Sequence, residues 1–337
     1  MRFCSDNTAT ACPEMLRAIE SANRGLAQPY GEDEWTARLD AALGGFFGAP
    51  VRAFAVTTGT AANALALATL SPPYGAIFAH EEAHIVTDEC GAPGFFCGGA
   101  QLALLPGAHG RLSAAGLAAA LATYNRGVHG VQPAALSLTQ ATEFGTVYRA
   151  AEVAQLCEVA RRYALRVHMD GARFANALAF LDCHPGDLTW RAGVDVLSFG
   201  ATKNGALAAE AVVFFDRGLV RDFELRRKQA GHLLSKSRYV AAQLLAYLDA
   251  ELWRRNAART NALARRIGAT AGGALLHPVE ANEVFVRLGT GRRAALRAAG
   301  CDFYDWGAAE SGDARFVVSW DQPEDDVERL CAALASE

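Results

Sequence analysis

Short apolar, β-rich runs alternate with runs of helical spacing along most of the chain. The runs 53–56, 76–79, 134–139, 166–169, 194–198 and 211–215 read as strands, each a short apolar segment bounded by small or polar residues. Between them, 60–70, 113–122 and 151–163 carry apolar residues at helical spacing. Such alternation implies a largely parallel sheet with helices on both faces. Ahead of it lies an irregular arm with a helix that starts at Pro13, a residue suited to the first helical position, and a loop from Gly25 to Gly31. From Ser235 to about Ile267 the pattern is helical and long, with Tyr239, Leu244, Leu245, Leu248 and Leu252 on one apolar side. The rhythm then changes. The segments 284–288, 292–299 and 315–320 suggest a small α+β unit. A chain of 337 residues is too long for one compact core. We therefore expect an arm and large domain over 1–245 and a small domain over 246–337, divided within the long helical run.

Composition narrows the class. With 51% hydrophobic and 20% charged residues, the chain reads as an ordinary globular protein. A formal net charge of −4 leaves no basic footprint for nucleic acid. The densest basic run, Arg226-Arg227-Lys228, lies in a helical pattern and reads as a solvated face, with phosphate contact as the sharper alternative. No apolar run is long enough to span a membrane, and Asp6 interrupts any signal-peptide pattern. The eight cysteines form no C-x-x-C pair, so neither zinc-finger spacing nor a disulfide framework is visible. We expect reduced, mostly buried thiols and a cytoplasmic protein.

In open α/β sheets, ligands sit beyond the carboxyl ends of the strands. Three such ends carry chemistry. The strand 53–56 runs into Thr57-Thr58-Gly59-Thr60, where a helix start offers backbone N–H groups, a hydroxyl and a positive dipole end. A phosphate cradle and a simple helix cap both fit. The strand 166–169 ends in Asp170-Gly171-Ala172-Arg173. A buried carboxylate is costly unless paired; a protonated pyridine nitrogen would satisfy it, and so would a neighbouring helix start. The strand 194–198 leads to Thr202-Lys203-Asn204-Gly205, a lone lysine among small residues. Partly desolvated, such an amine becomes a nucleophile toward carbonyls; otherwise it is a surface lysine. The three features follow successive strand ends in the order cradle, acid, lysine.

Together, Ser5-Asp6-Asn7, Tyr30-Gly31-Glu32-Asp33, Thr58-Gly59-Thr60-Ala61-Ala62-Asn63, Ala83-His84, His168-Met169-Asp170-Gly171-Ala172-Arg173 and Thr202-Lys203 resemble the L-threonine aldolase family of fold-type-I pyridoxal 5'-phosphate (PLP) enzymes. The resemblance runs from about residue 3 to the C-terminus and is closer to the low-specificity L-threonine aldolase and L-phenylserine aldolase branch. In Thr139-Gln140-Ala141-Thr142-Glu143 the chain departs from the Glu-Asn-Thr-His of other members. The resemblance implies a large domain with a mostly parallel central sheet flanked by helices, and a small C-terminal α+β domain. It also implies roles. Lys203 would carry the cofactor as a Schiff base. Asp170 would pair with the pyridine nitrogen, and His84 would stack on the ring. Gly59, Thr60 and Thr202 would bind phosphate. Arg227 would reach phosphate or substrate across a subunit boundary. Ser5, Arg173 and Arg315 would hold the substrate carboxylate, with Tyr30 nearby; Arg173 would also contact the cofactor. His84 and His129 would lie near the substrate β-hydroxyl, and either of them, or a water they hold, would be the base. The implied reaction is cleavage of a β-hydroxy-α-amino acid (threonine, allo-threonine or phenylserine) to glycine and an aldehyde, in a homodimer or homotetramer with shared active sites.

Rival readings exist. Another fold-type-I reaction, such as hydroxymethyl transfer, β-elimination or racemisation, would use the same lysine and acid. His80-Glu81-Glu82-Ala83-His84 satisfies the H-E-x-x-H zinc hydrolase pattern, which works only within one helix. Here it follows a strand-like run. No G-x-G-x-x-G follows the first strands, which disfavours a dinucleotide site.

Overall fold

The computed structural model describes residues 1–124 and 126–335. Ten strands form two sheets: β1 Arg52–Val56, β2 Gly75–His80, β3 Gln101–Leu105, β4 Gln132–Thr139, β5 Arg166–Gly171, β6 Val196–Gly200, β7 Glu210–Phe214, β8 Glu283–Arg287, β9 Tyr304–Trp306 and β10 Asp313–Val317. The large sheet has the order β1-β7-β6-β5-β4-β2-β3. It is parallel except at β7, which runs antiparallel to both of its neighbours. Strands β2, β6 and β7 are buried throughout, as strands covered on both faces must be. The three-stranded sheet β8-β10-β9 is antiparallel and belongs to the C-terminal part.

Every strand expected from the sequence is present, with ends displaced by at most three residues. Two further strands and six further α-helices appear among the described residues, the longer of these helices being Leu39–Phe47, Phe174–Leu181 and Glu324–Ala335. Strand β3 is missing from the sequence reading because it is a sheet edge with exposed Gln101 and Leu104, so it lacks a continuous apolar run. The helix Leu39–Phe47 contains Gly44 and Gly45, which blur its periodicity. The long helical run is two helices, Arg238–Leu248 and Leu252–Ala271. Between them Ala250 and Glu251 adopt φ of 45° and 51°, a left-handed kink that side-chain spacing does not signal.

One apolar cluster packs on each face of the large sheet. A third is built from the C-terminal strands and the helices around them, and Phe3 of the arm is part of it. The arm is stitched there by Phe3 N–H to Asp302 O (2.7 Å) and Val317 N–H to Phe3 O (2.8 Å). In the second long helix, Leu252, Trp253 and Ala257 pack into the large cluster while Leu263, Ala264 and Ile267 pack into the C-terminal one. All eight cysteines are free; Cys4, Cys12, Cys97, Cys157 and Cys301 are buried and Cys90 is exposed. Among the described residues no helix is long and apolar enough to cross a membrane.

Candidate active site

The carboxyl ends of β1, β4, β5 and β6 lie on one edge of the large sheet, and the antiparallel β7 begins there. A cavity of about 290 Å³ opens at that edge. Thr58, Gly59 and Thr60 line it from β1, Asp170 from β5, and Thr202 and Lys203 from β6. The three features read separately from the sequence therefore meet in one place.

Each is held by local chemistry. The Thr58 hydroxyl accepts from Ala61 N–H (3.2 Å) and caps the helix Gly59–Leu70. The Gly59 and Thr60 N–H groups at that helix start have no acceptor among the described residues. So the hydroxyl serves the helix as a cap, and the residues that carry the first N–H groups line the cavity. Lys203 sits in a single 3₁₀ turn, Thr202–Asn204. The Asn204 amide anchors that turn by donating to Tyr247 Oη (2.7 Å) and Trp253 O (2.8 Å). Gly205 ends it at φ 110°, and a Cβ there would meet Asn256 Nδ2 at 2.9 Å, so glycine is required. Lys203 is half-buried and forms no ion pair among the described residues.

Asp170 is 4% exposed. Its Oδ1 accepts from Ala172 N–H (3.0 Å) and its Oδ2 from the Asn63 amide (2.8 Å). The same Asn63 nitrogen donates to Glu89 Oε1 (2.8 Å), which also receives His84 Nδ1 (2.9 Å). The Glu89 hydrogen bond, with the Glu143 and Asp170 charges behind it, pushes the His84 imidazole up, against burial. Burial pushes Glu89 itself up, with Asp170 adding to it and His84 opposing. Glu89 Oε2 and Asn63 Oδ1 are buried without a partner. Two residues before Asp170, His168 bridges the Ser137 and Ser198 hydroxyls (2.9 Å each), and burial lowers it to about 4. It is neutral there and ties β4, β5 and β6 together beneath the acid.

A second cavity of about 450 Å³ adjoins the first and shares Asn7, His84, Glu143, Arg173 and Lys203 with it. Ser5 and Arg315 line only the second. Here charges alternate. Arg173 donates from Nε and Nη2 to Asp6 (2.8 and 3.1 Å), and its Nη1 lies 3.4 Å from Glu283 Oε2. Arg315 donates from Nε and Nη2 to Glu283 Oε1 (3.2 and 2.8 Å). Nη1 of Arg315 has no protein partner among the described residues. Glu143 joins the two cavities and accepts from His84 N–H (3.3 Å).

Not all expected residues converge. His129 lies in a separate cavity with Tyr124 and Arg126, at the amino end of β4, whereas the site is at its carboxyl end. Tyr30 is exposed, with Lys228 Nζ 4.5 Å from its ring centroid, and lines neither cavity. Arg227 is not on a solvated face. It is buried, donates to His232 O (3.2 Å), and burial lowers its guanidinium to about 10. His232 Nδ1 in turn lies 3.4 Å from Thr57 Oγ1, beside the cradle. The zinc reading fails on geometry. His80 ends β2, and His84 begins a separate short helix. The His80 ring is already engaged by Gly107 O (3.0 Å) and Glu82 N–H (3.1 Å). Sequence reading missed Glu89, Asp6 and Glu210 as site groups. Asp6 stood within the quoted Ser5-Asp6-Asn7 segment without a role, and Glu210 carried a signal as the lone acid opening an otherwise apolar strand.

The cavity suits PLP. It presents an amine, a carboxylate at the end of a buried strand, unsatisfied helix-start N–H groups, and partnerless oxygens on Glu89 and Asn63.

The family described as β-eliminating lyase matches residues 2–290. A low-specificity L-threonine aldolase of Pseudomonas aeruginosa is 44% identical over 333 residues, covering 98% of this chain and 94% of that protein. The structure of Leishmania major threonine aldolase matches with a TM-score of 0.93 at 26% identity, covering 99% of this chain and 98% of that one. Sphingomonas wittichii serine palmitoyltransferase, at TM-score 0.73 and 15% identity, covers 99% of this chain and 86% of that one, a likeness of fold alone.

Proposed function

Since this chain belongs to the β-eliminating lyase family, with a fold-type-I architecture, we propose that it cleaves L-β-hydroxy-α-amino acids, such as threonine, allo-threonine and phenylserine, to glycine and an aldehyde, using PLP. What carries the reading is the convergence of Lys203, Asp170 and the Gly59–Thr60 helix start in one cavity, in a chain so similar to a threonine aldolase.

Bound there, PLP supplies an aldehyde that reacts with amines and a cationic ring that accepts the electron pair of a breaking Cα–Cβ bond. The Lys203 amine is the attachment point. Asp170, held by Asn63 and Ala172, keeps a proton on the ring nitrogen. Gly59 and Thr60 N–H groups and the Thr202 hydroxyl receive the phosphate. His84, which lines the cavity, would lie against the cofactor ring. The substrate carboxylate goes to Ser5 and to the free edge of Arg315, with Arg173 behind Glu283 shaping the same wall. Fixing the carboxylate orients the bond to be broken. His84 takes the β-hydroxyl proton, directly or through water; its Nδ1 is backed by Glu89, which orients the ring.

His129, Tyr30 and Arg227 line neither of the two adjoining cavities of the site. The exposure of His129 and Tyr30 supports a homodimer, or a homotetramer of such dimers, in which these two complete a neighbour's site, whereas the buried Arg227 serves this chain's own Thr57 side through His232. Eight free cysteines support a reducing, cytoplasmic setting.

The test is direct. Purified wild-type protein should be yellow, its visible band should shift with glycine, and aldehyde should be released from threonine and phenylserine. Lys203→Ala should lose both colour and turnover while folding normally. A Lys203→Ala chain that kept its colour and full turnover would sink the reading.

A further inference from the structure

Glu210 has no role in the chemistry above. It opens β7, whose other residues, Ala211, Val212, Val213 and Phe214, are all apolar and buried. The register pairs it with Val56 at the end of β1 and with Gly200 at the end of β6. Those strands lead into Thr57–Thr60 and into Thr202–Lys203, so the carboxyl group sits between the two segments proposed to hold phosphate. It lines the same cavity and is 6% exposed. Its Oε2 is 2.9 Å from where a Cβ on Gly200 would stand, and Thr202 faces it with both side chain and backbone. Glu210 forms no ion pair among the described residues. The charged and titratable groups facing it are Lys203, Asp170 and the Tyr247 hydroxyl.

An ionised carboxylate between two anion-holding segments would repel the anion they are built for. A protonated one is an additional O–H donor pointing into the cradle. We propose that Glu210 serves the phosphate end of the site as a proton-carrying donor, so that the cavity takes up a phosphate dianion together with one proton. This rests on the PLP reading above. Burial already pushes the carboxyl up to about 7, with Thr202 and Lys203 opposing, so before an anion enters the carboxyl can take either form near neutrality. An incoming dianion is a like charge and drives the group further toward its protonated form. Until then, the carboxylate occupies the Thr202 donors as an internal stand-in for the anion.

The experiment titrates the cofactor-stripped full chain with PLP across neutral to alkaline pH, reading the visible band, for wild type and Glu210→Gln. Glutamine keeps the shape and offers N–H donors at every pH. Above the carboxyl's range, wild-type affinity should fall by about tenfold per pH unit relative to the variant. The variant should bind more tightly on the alkaline side. Pyridoxal, which lacks the phosphate, should show no such difference between the two chains. Equal pH slopes for PLP, or the same difference with pyridoxal, overturn the inference while leaving the cofactor reading intact. A wild-type chain that binds no PLP at any pH overturns both. Should Glu210→Gln fail to fold, inorganic sulfate gives the answer in wild type, because sulfate does not titrate near neutrality. Its binding, followed calorimetrically in buffers of different ionisation enthalpy, should take up a proton on the alkaline side, and zero uptake overturns the inference.

Discussion

His84 shows how one hydrogen bond sets a working pH. Glu89 accepts from its Nδ1 at 2.9 Å and raises its proton affinity. A raised pKa means that the ring stays cationic to higher pH than an ordinary histidine. A proton acceptor must be neutral, so the acid limb of kcat/KM should lie above the usual histidine range. Glu89→Gln keeps a hydrogen-bonding group but removes the charge. The limb should then move to lower pH. Measuring kcat/KM against pH for both chains checks this; an unmoved limb would mean that His84 is not the base. Asp170 and Lys203 could be picked out from the sequence because each follows an apolar strand. Glu89 could not, because what matters is its contact with Asn63, 26 residues away in the chain, and through it with Asp170. Short-range spacing has no access to such a triangle.

Among the elements, two glycines separate what the fold needs from what the ligand needs. Gly171 ends β5 one residue after Asp170. A Cβ there would meet Ser198 O at 2.7 Å and Leu197 Cδ1 at 2.8 Å, both on the neighbouring β6. Gly171→Ala should push those strands apart and cost about 1–3 kcal/mol. At about 2–4 °C per kcal/mol for a domain of this size, a thermal melt will resolve it. Gly59 has no atom within 4 Å of such a Cβ. Gly59→Ala should therefore leave the melting temperature nearly unchanged but weaken PLP retention, since the new methyl group would enter the cradle. Equal melting temperatures for the two variants would refute this division. The same contrast explains what was legible. Buried parallel strands announce themselves as continuous apolar runs. The exposed edge β3 and the kink at Ala250–Glu251 do not, because sheet position and backbone strain leave no trace in side-chain spacing.

Across the whole molecule, one line of buried charge ties three parts together. Asp6 comes from the arm, Arg173 from the large sheet's edge, and Glu283 and Arg315 from the C-terminal sheet. The sequence reading assigned Arg173 and Arg315 to the substrate carboxylate but did not link them to Asp6 or Glu283; their alternation exists because the arm folds back to place Phe3 in the C-terminal core. The side chains of Asp6, Arg173 and Glu283 are at most 5% exposed. Removing one partner from such a set leaves an uncompensated charge, at about 3–5 kcal/mol. Asp6→Asn should thus lower the melting temperature more than the loss of an exposed pair such as Arg162–Glu158. The acid response gives a sharper test. Burial favours the protonated Asp6, but Arg173 and Lys203 outweigh it and hold the carboxyl below its ordinary value. A lowered folded-state pKa contributes stability that is fully present above the ordinary carboxylate range and disappears as pH falls through the lowered value. Wild type should therefore lose melting temperature steeply on acidification in that window. Asp6→Asn, already lacking the charge, should start lower and decline less. If both chains decline in parallel, the arm is held by Phe3 and its backbone hydrogen bonds, and the Asp6–Arg173 pair contributes nothing to keeping the two sheets registered around the site.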